Sequence, residues 1–207
     1  MPNSLTIAAR IVSIFLHPLF VPLYAFLITL SITGHYRLQI PAHAQWIVAV
    51  AVFTLTAVVP SLIFYIMLRM RMISSLQMPF RQERNVPILI TALSFYLTYQ
   101  LLSKFGVAPL FGFYMLAASM LSLVALGINL WMKISLHMVA LGALAGSLAV
   151  FAKLLGEQYL IVALMTILAA GLTGAARLTL NAHRQREIYL GFLTGFAWMY
   201  VLFALIS

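Results

Sequence analysis

Three ionisable residues with regular spacing follow an apolar stretch near the end of the chain. Arg177 is followed after five residues by His183, and His183 after three more by Glu187. Such groups are scarce here, since only three acidic residues occur among 207. A cation can bind a phosphate group, and an imidazole can attack it. The pattern therefore predicts a site for phosphate chemistry where an apolar helix ends.

The spacing of His183 and Glu187 predicts a direct contact. If the chain after His183 is helical, Glu187 lies one turn further on the same face. Its carboxylate would accept a hydrogen bond from the imidazole Nδ1–H, which sets the tautomer of a nucleophilic histidine. Arg184 and Arg186 are expected to point elsewhere, toward lipid headgroups. The alternative is a basic loop in which His183 is incidental.

A second cluster, Lys133, Ser135 and His137, begins a later apolar stretch. Ser135 is a predicted N-cap, and the N-terminus of a helix binds anions. His137 lies just inside the apolar run, where an ionisable group is costly and marks a functional candidate. The alternative is a capped helix whose histidine packs against a neighbouring carbonyl group.

A third cluster contains Arg81 and Arg84, which are close enough on a helical turn to reach one anion. Pro87 suits the first turn of the helix that follows. The alternative is an ordinary arginine-rich loop with Glu83 as its local partner.

The composition indicates that these clusters are held by a membrane protein. Hydrophobic residues make up 64% of the chain and charged residues 7%, with a mean hydropathy of +1.08. A soluble domain cannot cover so much apolar surface. Segments of about 20 apolar residues can span a bilayer. We predict seven: Ile11–Thr33, Trp46–Leu68, Val86–Ser103, Val107–Met132, Ile134–Ala152, Tyr159–Ala176 and Ile188–Ser207.

The predicted fold class is therefore an all-α, polytopic transmembrane bundle, with residues 1–207 as a single transmembrane domain and no separate soluble domain. The third span is the most polar, and a six-span bundle would omit it. The first span is too long for a signal-peptide core, so we expect it to be retained. Pro22 and Pro60 are expected to kink their spans.

Charge predicts partners more clearly than orientation. The net charge is +9, and seven spans place nine of the twelve Lys and Arg residues on the side of the N-terminus. Arg37, Lys104 and Lys153 fall on the other side. All three clusters share the N-terminal side, because an even number of spans separates each pair. The positive-inside rule makes that side cytoplasmic. A phosphate site would also concentrate cations on one side of the membrane, so the orientation stays open.

The positive charge does not indicate a nucleic-acid partner. No soluble basic face exists, and we expect no nucleic-acid partner.

Two smaller features are noted. His17, before Pro18, lies on the same side and would either line the site or bond to a neighbouring helix. Gly142-x3-Gly146 and Gly191-x3-Gly195 allow close helix contact, although glycine is also simply common in spans.

The clusters resemble the signatures of the type 2 phosphatidic acid phosphatase (PAP2) superfamily. The segment Ala176-Arg177-x5-His183-x3-Glu187 is similar to its third signature, Ser-Arg-x5-His-x3-Asp. Ser135-Leu136-His137 is similar to its second, Pro-Ser-Gly-His, and Arg81 to Arg84 is where the first, Lys-x6-Arg-Pro, is sought. The chain departs from these signatures at Gln77, Asn85, Leu136, Ala176 and Glu187.

The resemblance implies catalytic roles. His183 would be the nucleophile that takes the phosphoryl group as a phosphohistidine. Glu187 would replace the aspartate that orients it, and His137 would protonate the leaving group. That family needs no metal and no cofactor, because cations and backbone dipoles neutralise the developing charge.

The resemblance also implies a binding site for the phosphate oxygens, formed by Arg177, Arg84 and the backbone near Ser135. Lys133 or Arg81 would replace the lysine of the first signature, which is Gln77 in this chain. The implied substrate is a lipid phosphate or diphosphate in a bacterial inner membrane, such as undecaprenyl diphosphate, phosphatidate, phosphatidylglycerol phosphate or phosphorylated lipid A.

Two other functions stay open. The departures at positions 77 and 136 favour a non-catalytic PAP2-like lipid-binding or transport protein that uses the same cations. A structural membrane subunit would make the clusters coincidental. The His-x3-Glu pair favours the enzyme, because a passive anion site does not need a carboxylate.

Overall fold

The structure, a computed structural model, describes residues 3–32, 40–106 and 109–206. Within these ranges the chain is helical, with no strand. Arg37 and the predicted span ends at Thr33, Val107 and Ser207 lie outside the described residues.

Six helices are long and apolar enough to cross a membrane. They confirm the second to seventh predicted spans within a few residues, including the polar third span. One of them begins as α3 (Ala42–Phe53) and continues through a π-helical turn at Thr54–Val58 into α4 (Val59–Arg69). The others are α5 (Asn85–Lys104), α6 (Pro109–Trp131), α7 (Leu136–Leu155), α8 (Gln158–Thr179) and α9 (Gln185–Leu205).

The surface of α8 shows why the solvent must be lipid. Large apolar side chains are exposed along one side of this helix, where water would penalise them. A helix satisfies its backbone hydrogen bonds internally, so it can present such a surface to hydrocarbon. These features indicate an integral membrane protein. The exposed residues are Leu160, Ile161, Leu164, Met165, Leu168 and Leu172.

The first predicted span is wrong, because the structure divides it into α1 (Ser4–Phe15) and α2 (Val21–Ile32). Each has 12 residues, and such a helix is about 18 Å long, shorter than the hydrocarbon core. The residue before a proline disfavours the α conformation, and Pro18 follows His17 at the break.

The two predicted kinks have different outcomes. Pro22 lies in the first turn of α2, where a proline is tolerated, so that prediction is wrong. Pro60 is the second residue after the π-helical turn. The missing N–H of a proline disturbs the helical ladder, and π turns are a common accommodation. The carbonyl of Leu55, inside this turn, accepts a hydrogen bond from the Ser94 hydroxyl on α5.

The described residues form two compact units, residues 3–21 with 133–206, and residues 22–32 with 40–106 and 109–132. In the first unit α7 packs against α8 and α9, and α1 packs against α8. In the second unit α5 packs against α6. There the Ser119 hydroxyl donates to the Ala92 carbonyl at 2.8 Å.

Both predicted glycine motifs lie in the contact between α7 and α9. A Cβ at Gly142 would overlap the carbonyl oxygen of Phe192, and one at Gly146 that of Phe196. A Cβ at Gly195 would overlap the carbonyl oxygen of Val139. Glycine on both helices therefore allows the backbones to approach directly, as predicted.

Candidate functional site

The segment between Arg177 and His183 contains the end of α8. The Ala182 N–H donates to the Arg177 carbonyl at 3.0 Å, and the Asn181 N–H donates to the Leu178 carbonyl at 2.9 Å. Asn181 has a φ of 50°, the left-handed conformation that this helix end requires and that asparagine tolerates. Five intervening residues are thus enough to end α8 and turn the chain toward α9.

His183 and Glu187 make the predicted hydrogen bond. The His183 Nδ1 and Glu187 Oε2 atoms are 2.7 Å apart, with the histidine side chain 2% and the glutamate side chain 13% exposed. Arg184 is the N-cap of α9 and Glu187 lies in its first turn. A carboxylate there is favoured by the helix dipole. A neutral His183 consequently carries its proton on Nδ1. Arg184 and Arg186 are exposed, as predicted.

Lys133 and Ser135 contact the same segment. Lys133 Nζ donates to the carbonyl of Ala182, next to His183, at 2.8 Å. The Ser135 N–H donates to the Glu187 carbonyl at 3.3 Å. The loop before α7 is thereby joined to the start of α9.

Ser135 is the N-cap of α7 by position, as predicted. Its carbonyl accepts hydrogen bonds from the Met138 and Val139 N–H groups. Its hydroxyl makes no capping bond and is buried without a hydrogen-bond partner. This serine therefore brings a buried hydroxyl to the start of α7 that helix capping does not use.

His137 contacts α1. Its Nε2 lies 3.0 Å from the Ser13 carbonyl oxygen. A carbonyl can only accept, so this nitrogen carries a proton. The contact is the alternative that the sequence left open, a histidine against a neighbouring carbonyl. The Ser13 carbonyl now orients a residue with a predicted role in proton transfer.

His17 lies in the break between α1 and α2, outside the six long helices, and packs against His137. Their ring centroids are 5.3 Å apart with planes at 81°. Burial, and to a lesser extent the charge of Arg177, lower the pKa of His17 to about 4. The Nε of Arg177 is buried and has no hydrogen-bond partner among the described residues.

Arg81 and Arg84 belong to the second unit. Arg84 is buried, and its Nε donates to the Met78 carbonyl at 2.9 Å. The alternative, in which Glu83 is the local partner of these arginines, is not confirmed. The Glu83 carboxylate accepts hydrogen bonds from the Ser74 N–H and hydroxyl. The predicted phosphate contacts of both arginines stay predictions.

Asn129, in the last turn of α6, was not among the predicted site residues. It is fully buried, and its Nδ2 donates to the Arg81 carbonyl at 3.0 Å and to Asn85 Oδ1 at 2.8 Å. A polar residue inside an apolar span was the available signal. Asn129 fixes the backbone on which Arg81 is carried.

The comparisons with known proteins add no family. No protein-family model, curated protein or solved structure matches this chain. The candidate site is therefore defined by geometry within the first unit, where hydrogen bonds join Lys133 and Ser135 to the segment of His183 and Glu187. His137 contacts His17 and Ser13 in the same unit.

Buried polar atoms without partners give a further sign of a ligand. Such atoms are uncommon in folded proteins. Among the described residues of the first unit they are the Ser13 hydroxyl, the Ser135 hydroxyl and Arg177 Nε. All three can donate a hydrogen bond, which is what the oxygens of a bound oxyanion accept.

Proposed function

We propose that this chain is an integral membrane lipid phosphatase of the PAP2 type, which hydrolyses a lipid phosphate or diphosphate through a phosphohistidine. The observation that carries the proposal is the partly buried hydrogen bond between His183 Nδ1 and Glu187 Oε2, at 2.7 Å. A proton held on Nδ1 places the lone pair of the neutral ring on Nε2, which would be the atom that attacks phosphorus. Glu187 also stabilises the positive charge that the ring gains during attack.

In the first step a bond forms between His183 Nε2 and phosphorus while the bond from phosphorus to the lipid oxygen breaks. His137 gives a proton to that oxygen. Because its Nε2–H is held by the Ser13 carbonyl, the proton leaves from Nδ1 of the doubly protonated ring. Water then attacks phosphorus and gives a proton to the now neutral His137 while the bond between phosphorus and His183 Nε2 breaks. Inorganic phosphate, free His183 and doubly protonated His137 result.

Cationic and neutral donors in the first unit suit a phosphate headgroup. Arg177 offers a planar guanidinium that pairs well with phosphate oxygens. Lys133 is held beside the His183 loop by the Ala182 carbonyl. The site lies where long apolar helices end, so the tails of a lipid substrate would remain in hydrocarbon. A bacterial inner membrane would supply such substrates.

The second candidate is a lipid-binding or transport protein that holds the headgroup without chemistry. The bond from His137 to the Ser13 carbonyl and the bond from Arg84 to the Met78 carbonyl favour it, because each gives a structural role to an expected catalytic or binding residue.

Phosphate release from a panel of lipid phosphates separates the two candidates. His183→Ala should lower turnover on the order of a thousandfold or more, since it removes the attacking atom. Arg184→Ala is the matched control, because Arg184 is exposed and adjacent, and it should retain activity. Wild-type turnover in purified His183→Ala would refute the phosphatase.

A further inference from the structure

The protonation of His17 follows from its surroundings. The Leu19 N–H donates to His17 Nδ1 over a long distance of 3.4 Å. A ring nitrogen that accepts a hydrogen bond carries no proton, so the neutral ring is protonated on Nε2. With the pKa of His17 lowered to about 4, the ring is neutral at pH 7. His17 therefore presents an N–H donor without adding a charge.

The neighbours of His17 are two residues of the proposed site. Its ring packs edge-on against His137. The charge of Arg177 acts on it, and the buried Arg177 Nε lacks a partner within the residues that the structure describes. A buried N–H without a partner costs free energy, so a ligand that accepts from this region would be favoured.

We propose that His17 Nε2–H is an additional donor to the phosphoryl oxygens, beside Arg177, so that the break between α1 and α2 contributes to the substrate site. The inference rests on the proposed function, because it identifies the bound anion as the phosphate group of the substrate. A lipid monophosphate and free phosphate both present such an anion. A donor role for His17 would also explain the break between α1 and α2, because an unbroken helix would have no loop at this position to hold the His17 ring.

The first test is binding to the full-length protein in nanodiscs, labelled with 15N-histidine. Inorganic phosphate is added in one arm, and phosphatidate is included in the nanodisc in the other. The His17 Nε2 resonance, assigned by its loss in His17→Gln, should shift on binding. A shift in the phosphatidate arm alone supports headgroup recognition, and a shift in both arms supports recognition of the phosphate group itself.

Two variants separate donation from packing. His17→Phe keeps a ring against His137 but loses the donor, and should weaken binding about 10- to 100-fold, as expected for a hydrogen bond to a charged group. His17→Gln places an amide N–H near the position of Nε2, and should weaken binding less than about threefold. His43→Phe, at an exposed histidine of α3, is the control and should bind as the wild type does.

Several results would overturn the inference. They are a His17 resonance in wild type that shifts with neither probe at saturation, wild-type affinity in His17→Phe, and equal loss in His17→Gln and His17→Phe. If His17→Phe does not fold, the wild-type titration alone decides. A wild-type protein that binds phosphate through His17 but releases none from any lipid phosphate refutes the phosphatase and leaves the donor role standing.

Discussion

Replacing Gly195 by alanine tests how α7, which carries His137, and α9, which follows His183, are held together. A Cβ at this position would overlap the Val139 carbonyl oxygen and lie 2.8 Å from the Ala143 N. Both are backbone atoms of α7, so no flexible side chain can move aside. The helices must separate, and their contact along the glycine motifs is weakened.

We expect Gly195→Ala to lower the free energy of unfolding by about 1–3 kcal/mol, the usual effect of overpacking. Gly171→Ala is the matched control, because Gly171 is an exposed glycine of α8 with no atom within 4 Å of an added Cβ. It should be neutral or gain up to about 1 kcal/mol from helix propensity. Unfolding by SDS in mixed micelles, followed by circular dichroism, measures both. Equal unfolding midpoints for the two variants would show that the close approach of α7 and α9 does not support stability.

Two further substitutions test individual hydrogen bonds. Glu187→Gln should lower phosphate release by about 10- to 100-fold, because it removes the charged acceptor of the His183 Nδ1–H; Glu83→Gln is the control, and equal activity in both variants would contradict the orienting role. Asn129→Ala should lower the free energy of unfolding by about 1–3 kcal/mol, because the Arg81 carbonyl and Asn85 Oδ1 lose their donor. Ser122→Ala, which removes only a bond to Ala118 on the same helix, should change it little, and a matching loss there would refute the assignment to Asn129.

The six long helices could be predicted because the bilayer imposes a length on apolar segments. The hydrogen bond between His183 and Glu187 could be predicted for a similar reason, since residues four apart meet wherever a helix begins between them. The two glycine motifs could be recognised from their spacing in the sequence. That they contact each other, across α7 and α9, depended on how the helices pack. Each of these predictions rests on local geometry that few tertiary contacts can change.

The break at His17 could not be read from hydropathy, because apolar residues continue on both sides of it. Its signal was local: Pro18 restricts the residue before it, and Pro22 suits the start of a new helix. The contact of Arg84 depended on the conformation of the irregular loop before it, which places the Met78 carbonyl, six residues earlier, against its Nε. Asn129 was missed because its partners lie more than 40 residues away along the chain.

Glu187 connects the parts of the first unit that the proposed chemistry needs. Its side chain accepts from His183, and its backbone carbonyl accepts from the Ser135 N–H at the start of α7. A shift of α9 that moves His183 must therefore also strain the start of the helix that carries His137. For this reason the effect of Gly195→Ala should extend from stability to turnover, with both falling together, whereas Glu187→Gln should reduce turnover with the backbone bond to Ser135 intact.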